Sequence, residues 1–165
     1  MSEVEDVDEQ GTKATAETLA KIRPDPLYAL YTEGKLAPKD PEANARMFDA
    51  ALEIRMAFEA ITSPVSMRGH DYQKEVRRSH WEVGESHAER LWKMDRVKRR
   101  YVDWVDAMTA RKLPAGPVLD VVVDGMGVRE SERNRRRGHG WVGRVLREGL
   151  RLYCEQAGWL KRRAA

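Results

Sequence analysis

Cysteine, aromatic residues and long apolar runs are scarce in this sequence of 165 residues. The single cysteine, Cys154, cannot form an internal disulfide, and it excludes a zinc cluster built on several cysteines. No apolar stretch approaches the roughly 20 residues that a membrane-spanning helix needs. Met1 is followed by acidic residues and not by the basic and apolar segments of a signal peptide. These absences predict a cytoplasmic protein without a membrane partner.

Aromatic residues make up 7% of the chain and phenylalanine occurs twice, so Leu, Val, Ala, Met and Trp must form the core. The long runs of β-branched and aromatic residues that favour strands are also missing. A chain of this length can bury a sizeable core without covalent crosslinks. The composition therefore predicts an all-α fold.

Charge is distributed unevenly, although the formal net charge is only +3. Residues 129–163 contain eleven Lys or Arg against four Glu, whereas residues 1–10 contain five acidic residues and no base. The basic end indicates an anionic partner, and a solvated charged surface is the alternative. We predict that residues 1–24 form a disordered acidic tail. The five acidic residues of positions 1–10 are Glu3, Glu5, Asp6, Asp8 and Glu9.

Residues 25–112 are predicted to form a helical body that offers a dimer or partner surface. A short helix around Leu27–Tyr31 should anchor on it and end at Gly34. Asp40 is a good N-cap and Pro41 suits the first helical position, so a long helix should begin there and stop before Ser63. One apolar stripe follows the helical period. Its residues are Met47, Ala51, Ile54, Phe58 and Ile61, widened by Phe48 and Leu52.

A second long amphipathic helix is predicted from about Ser79 to Ala110, after a polar loop over residues 63–78. Gly84 weakens its first turns, so its firm part should begin near Ser86. The tryptophans of this region, Trp81, Trp92 and Trp104, are predicted to be half-buried. The predicted inward face consists of Leu91, Met94, Tyr101, Val105 and Met108.

The proline- and glycine-containing segment from Leu113 to Pro117 breaks the helical pattern and is the predicted domain boundary. The apolar run from Val118 to Val123 is compatible with a strand. We predict a short buried helix instead, because the sequence offers no strand with which it could pair. The fold prediction is thus a helical body followed by a C-terminal domain over residues 113–165.

Residues 128–157 have the pattern of a helix-turn-helix. A short charged helix over Val128–Arg137 precedes a glycine turn, and a longer helix should run from Trp141 to about Ala157. Gly158 is placed to end that helix in the left-handed conformation. The inward residues of the last helix are predicted to be Val142, Val145, Leu146, Gly149, Leu150 and Tyr153.

In such a motif the last helix enters the major groove and reads base edges. Arg144, Arg147 and Arg151 recur along one exposed face, and the first two should approach bases. The arginines before the turn should lie near phosphates. The small residue usual in the first helix is replaced by Asn134 or Arg135, so an amphipathic hairpin with a solvated arginine face is the alternative. The full set of predicted DNA-binding residues is Arg133, Arg135, Arg136, Arg137, His139, Trp141, Arg144, Arg147 and Arg151.

Several segments together resemble a known family. They are Asp25-Pro26-Leu27-Tyr28-Ala29-Leu30 with Ala45 through Ala60, Leu119-Asp120-Val121-Val122-Val123-Asp124-Gly125, Val128-Arg129-Glu130, Gly140-Trp141-Val142, and Leu146-Arg147-Glu148-Gly149-Leu150 with Tyr153. The chain resembles, loosely over residues 25–160, small regulators from alphaproteobacteria and their prophages, whose C-terminal domain is similar to sigma-factor region 4. The resemblance implies a DNA-binding regulator and assigns no contact residues.

The pattern of reactive side chains does not indicate an enzyme, a metal site or a cofactor. The four histidines are scattered, and only His80 and His87 share a helical face. Cys154 is expected to be buried as a small apolar residue. Glu130 and Glu132 are interpreted as partners of nearby arginines in the same helix, namely Arg133 and Arg136.

The sequence thus predicts a DNA-binding transcription regulator of phage or prophage type. Its expected partner is double-stranded DNA, with RNA polymerase and a second copy of the chain as further candidates. A first alternative is a phage DNA-packaging or assembly protein, which would work as a ring and discriminate weakly between sequences. A second alternative is a protein-interaction module that docks on RNA polymerase and does not bind naked DNA.

Overall fold

The computed structural model describes residues 25–63 and 86–164, and these residues confirm the predicted all-α fold. The predicted acidic tail, most of the predicted polar loop and Trp81 lie outside them. The described part of the chain contains helices and connecting loops but no strand. The helices are α1 (Pro26–Thr32), α2 (Pro41–Thr62), α3 (His87–Ala110), α4 (Gly116–Val122), α5 (Val128–Asn134) and α6 (Trp141–Gln156).

Helices α1 and α2 begin where the sequence predicts. The Asp40 carboxylate accepts from the Ala43 N–H as the N-cap of α2. The loop between the helices is fixed by Asn44, a buried side chain whose Oδ1 accepts from two loop N–H groups, including that of Leu36. Its Nδ2 donates to the Tyr31 carbonyl, so the amide is satisfied at both ends.

The predicted inward face of α2 is confirmed for its first half. Met47, Ala51 and Ile54 are buried, whereas Ile61 is 45% exposed near the end of the helix. The Phe58 and Tyr101 rings meet edge to face, which places this half of α2 beside α3. The inward prediction for Ile61 is wrong because the described part of the chain does not cover the last turn of α2.

Helix α3 begins after Ser86, which forms a reciprocal capping box with Glu89. The firm start predicted near Ser86 is therefore confirmed. The inward face is only partly as predicted, because Leu91 is 51% exposed. The half-buried prediction is wrong for both tryptophans of α3, since Trp104 is fully buried under other helices and Trp92 is 62% exposed. Burial of the indole is tolerated because Trp104 Nε1 donates to the Gly149 carbonyl over 2.9 Å.

Helix α6 lies at the centre of the fold and packs against α2, α3, α4 and α5. Each residue predicted to face inward is buried, and Leu152 and Cys154 are buried as well. Gly158 adopts a φ of +77°. The following Trp159 N–H donates to the Cys154 carbonyl, so the predicted left-handed helix end is present.

The apolar run after the proline-rich break is helical, as predicted, and forms α4 with Val118, Val121 and Val122 buried. The hydrophobic core is continuous from Leu27 to Cys154 and joins residues on both sides of the predicted boundary at residues 113–117. Within the described ranges, no helix combines the length and apolar character of a membrane span.

Candidate nucleic-acid interface

The last two helices are joined by a turn with two residues in the left-handed region. Helix α5 ends at Asn134, and α6 begins at Trp141. Arg136 has a φ of +52° and Gly140 a φ of +85°. A glycine suits the second position, because a side chain there would be strained. The turn reverses the chain so that the first turn of α6 lies against α5.

A buried carboxylate of α5 caps the N-terminus of α6. Gly140 has no side chain that could act as an N-cap. Glu132 is 4% exposed, and its Oε1 accepts from the Val142 N–H over 3.2 Å. The negative charge also lies at the positive end of the helix dipole. Glu132 therefore fixes the angle between the helices, and its predicted role as a partner of Arg133 or Arg136 is wrong.

The contact face of α5 is formed by Ser131 and Glu132, the two buried residues of this helix. Asn134 and Arg135, which the sequence pattern placed at this contact, are exposed. Ser131 is small and its hydroxyl donates to Asp120 Oδ2 over 2.6 Å. The small residue of α5 thus faces α4 and lies one turn before the position at which the sequence pattern predicted a helix contact.

Arg135 forms a bidentate ion pair with Asp120 in α4. The distances from its Nε and Nη2 to the two carboxylate oxygens are 2.6 and 2.9 Å. The hydrogen bonds from Arg135 hold the pKa of the Asp120 carboxyl below its usual range. A Cβ at Gly116 would lie 2.6 Å from the guanidinium, so glycine provides the space for it. Arg135 thus positions α5 against α4.

The other arginines around the turn are exposed, as is His139. The Arg137 guanidinium lies over the half-buried Trp141 ring at 4.7 Å from its centroid. This cation–π contact holds the charge beside the first turn of α6. Besides Arg135, the exposed arginines of α5 and the turn are Arg129, Arg133, Arg136 and Arg137.

The N-terminal half of α6 presents Arg144, Arg147 and Glu148 to solvent. Arg151, one turn further on, is half-buried, and its Nε donates to the buried Glu155 over 3.1 Å. The predicted row of three arginines is therefore two exposed residues followed by one that is paired within the helix. We name the exposed row Arg144, Arg147 and Glu148 the α6 strip.

The α6 strip is flanked by two cavities. One, of about 760 Å³, lies towards the α3–α4 loop and is lined by Lys112, Arg137 and Arg144. The other, of about 410 Å³, lies towards the loop before α2 and is lined by Lys39, Arg144 and Arg147. Each side of the strip thus has an exposed lysine, Lys112 on one side and Lys39 on the other. Neither lysine was predicted to belong to the site, because both are distant from α6 along the chain.

The cysteine and the possible metal ligands among the described residues lie apart from this surface or form no site. Cys154 is buried as predicted, and burial raises the pKa of its thiol to about 12. A thiol with this pKa is protonated near neutral pH and is a poor nucleophile. In residues 25–63 and 86–164, no group of three or more His, Cys, Asp and Glu could hold a metal ion. His80 lies outside the described residues.

Comparisons with protein-family models, curated proteins and solved structures found no match to this chain. The resemblance to the prophage regulators therefore stays a prediction.

Proposed function

We propose that this protein is a transcription regulator that binds double-stranded DNA through the N-terminal half of α6. The observation that carries the proposal is the α6 strip. Its Arg144 and Arg147 are exposed at the start of a helix, directly after a turn that contains three further arginines. Arginines in this part of a helix-turn-helix are placed to reach base edges in the major groove.

The surroundings of the strip suit a duplex as the ligand. Arg133, Arg136 and Arg137 would neutralise phosphates before the helix, and His139 lies exposed among them. Lys39 and Lys112 flank the strip through its two cavities. A helix in the major groove has a phosphate backbone on each side, and one lysine can approach each.

Three of the predicted DNA-binding residues, Arg135, Trp141 and Arg151, position the site in this proposal and do not contact DNA. The guanidinium groups of Arg135 and Arg151 are held by Asp120 and Glu155. A group engaged with a carboxylate has less charge to offer a phosphate. Arg135 and Arg151 therefore position the site, whereas Trp141 holds Arg137 beside it.

The test is the affinity of the full chain for duplex DNA, measured by fluorescence anisotropy. We expect Arg144→Gln/Arg147→Gln to weaken binding at least tenfold, because each arginine contributes about 1–3 kcal/mol. Arg162→Gln is the matched control, because exposed Arg162 lines a different cavity, with Ala107 and Leu152. Equal affinity of both variants would contradict the proposal.

Measurements of DNA binding also distinguish a transcription regulator from a packaging or assembly protein and from a module that docks on RNA polymerase. Enrichment of one site from fragmented genomic DNA supports a sequence-specific regulator, and two-fold symmetry of that site would indicate a homodimer. Uniform affinity for all duplexes would instead support a packaging or assembly protein. Absence of DNA binding together with binding to purified RNA polymerase would support the interaction module.

A further inference from the structure

The cavity of about 410 Å³ beside the α6 strip combines a basic rim with an apolar floor. Its apolar floor is formed by the partly exposed Ala37 and the exposed Pro38, which lie beside the buried Leu36, Ala43 and Met47. This volume is within the range of small-molecule sites, which are mostly apolar with a few convergent polar groups. Phosphates of a DNA backbone have no use for an apolar floor, so the cavity has a feature that duplex binding leaves unexplained.

Four arginines line this cavity: Arg144, Arg147 and Arg151 come from α6, and Arg163 belongs to the segment that follows the helix. The end of α6 brings Arg163 there, because Gly158 reverses the chain and the Arg163 N–H donates to Glu155 Oε1. The same carboxylate oxygen accepts from Arg151 Nε. Glu155 thus seats both the C-terminal segment and Arg151 at the cavity.

The charge of the lining is strongly positive. Lys39 adds a fifth base, and the lining contains two carboxylates, Asp40 and Glu148, which leaves a net charge of +3 (five bases minus two acids). Glu155, behind the lining, pairs with Arg151, so the charge that faces a ligand comes mainly from Lys39, Arg144, Arg147 and Arg163. Asp40 Oδ1 is already engaged, because it caps the Ala43 N–H at the start of α2. Like charges that converge on one cavity repel each other, and an anion between them relieves the repulsion.

We propose that this cavity binds a small organic anion, one that joins a carboxylate, sulfonate or phosphate group to an apolar body. The arginines hold the anionic group in charge-assisted hydrogen bonds, and the apolar body covers Ala37 and Pro38. Because Arg144 and Arg147 belong to both sites, such a ligand competes with DNA and acts as an effector. The effector role rests on the proposed function, whereas anion binding itself does not.

The probe for the test is 8-anilinonaphthalene-1-sulfonate, an apolar aromatic anion whose fluorescence rises in an apolar site. The neutral control is N-phenyl-1-naphthylamine, which has the same aromatic body without the sulfonate. We expect the full chain to bind the anion at least about tenfold more tightly than the neutral compound, as loss of a charged hydrogen-bonding group implies. Equal affinity for the two compounds would overturn the proposal.

Two variants locate the probe. Arg163→Gln removes a rim charge and should weaken probe binding by about tenfold, whereas Arg162→Gln, its neighbour on a different cavity, should not. Ala37→Leu adds volume at the loop that lines the cavity and should weaken binding to a similar extent. Circular dichroism and thermal unfolding establish that each variant is folded. Equal probe affinity in Arg163→Gln and Arg162→Gln would exclude this cavity.

Failure of this inference and of the proposed function are distinguishable. If duplex DNA binds with an affinity that depends on Arg144 and Arg147, while the probe affinity does not change in Arg163→Gln, only the effector site is wrong. If the probe binding depends on Arg163 while no duplex binds, only the DNA function is wrong. If both hold, duplex DNA should displace the probe, and failure to displace it would overturn the effector role.

Discussion

Glu132 in α5 and Val142 in α6 are joined by a hydrogen bond from the Val142 N–H to the buried Glu132 carboxylate, with an N–O distance of 3.2 Å. A helix N-terminus leaves its first N–H groups without partners inside the helix. Here the missing N-cap of α6 is supplied by the preceding helix. One side chain thus caps the start of α6 and ties it to α5, and the proposed DNA contact depends on this arrangement.

Replacement of this carboxylate should therefore destabilise the fold. Glu132→Ala leaves a buried N–H without its acceptor, and we expect the free energy of unfolding to fall by about 1–3 kcal/mol. Chemical denaturation monitored by circular dichroism measures the change. Exposed Glu130 in the same helix supplies the matched control, Glu130→Ala. Similar losses in the two variants would refute the capping role of Glu132.

The ion pair of Asp120 with Arg135 should make stability depend on pH. The pKa of Asp120 is lowered in the folded protein, so the pair stabilises the fold above the usual carboxyl pKa, about 4. That stabilisation is lost as the pH falls through the lower folded pKa. We expect Asp120→Asn to reduce the free energy of unfolding by about 1 kcal/mol at pH 7.

The measurement is urea unfolding of the two proteins at pH 7 and at pH 3. The difference between them should shrink at the lower pH, where the Asp120 carboxyl of the wild type is closer to its protonated form. Asp124→Asn, at an exposed position beyond α4, is the control. A difference that stays constant between the two pH values would show that the ion pair does not stabilise the fold.

The buried hydrogen bond of Trp104 predicts a contrast between two tryptophans of α3. Trp104→Phe removes the donor to the Gly149 carbonyl and leaves space in the core, at a cost of about 2–3 kcal/mol. Trp92 is 62% exposed, so Trp92→Phe should change the free energy of unfolding by less than about 0.5 kcal/mol. Thermal unfolding of the two variants tests the contrast, which equal melting temperatures would disprove.

Two glycines of α6 should respond in opposite directions to alanine. A Cβ at Gly149 would lie 3.0 Å from Val118 Cγ2 and 3.1 Å from Met108 Cε, so Gly149→Ala should destabilise by about 1–3 kcal/mol. At Gly143 the nearest atoms are 3.4 and 3.9 Å away, which is ordinary contact. Gly143→Ala should therefore stabilise by up to about 1 kcal/mol through helix propensity. Denaturation midpoints decide the signs, and destabilisation by both changes would contradict the described packing.

The sequence was sufficient to predict α6 in detail but not the inward face of α3. In α6 the apolar residues follow the helical period over the whole helix, and the core covers that length. In α3, periodicity gave equal weight to Leu91 and Met108, although only the latter lies under other helices. Periodicity identifies a face of a helix, but the extent to which neighbours cover it is a tertiary property.

The sequence was sufficient to predict which residues are exposed at the candidate site, but not which hydrogen-bond partners its side chains have. The exposed arginines around the turn could be found from local pattern and charge. The partners of Arg135 and Glu132 could not, because Asp120 and Val142 lie 15 and 10 residues away along the chain and meet them only in the packed fold. Lys39 was missed for the same reason, since it belongs to the loop before α2.

The most direct test of the account is the salt dependence of duplex DNA affinity. Each neutralised phosphate contributes about −0.9 to the slope of log affinity against log salt concentration. The wild type should bind with a steep slope. Arg133→Gln/Arg136→Gln removes two of the proposed phosphate contacts and should reduce the magnitude of the slope by up to about 1.8. Arg144→Gln/Arg147→Gln should instead weaken binding at every salt concentration with little change in the slope. The Arg162→Gln control should leave the affinity and the slope unchanged. Absent or salt-independent binding, or an affinity of Arg144→Gln/Arg147→Gln equal to that of the wild type, would contradict the assignment of the α6 strip as the DNA-contacting surface.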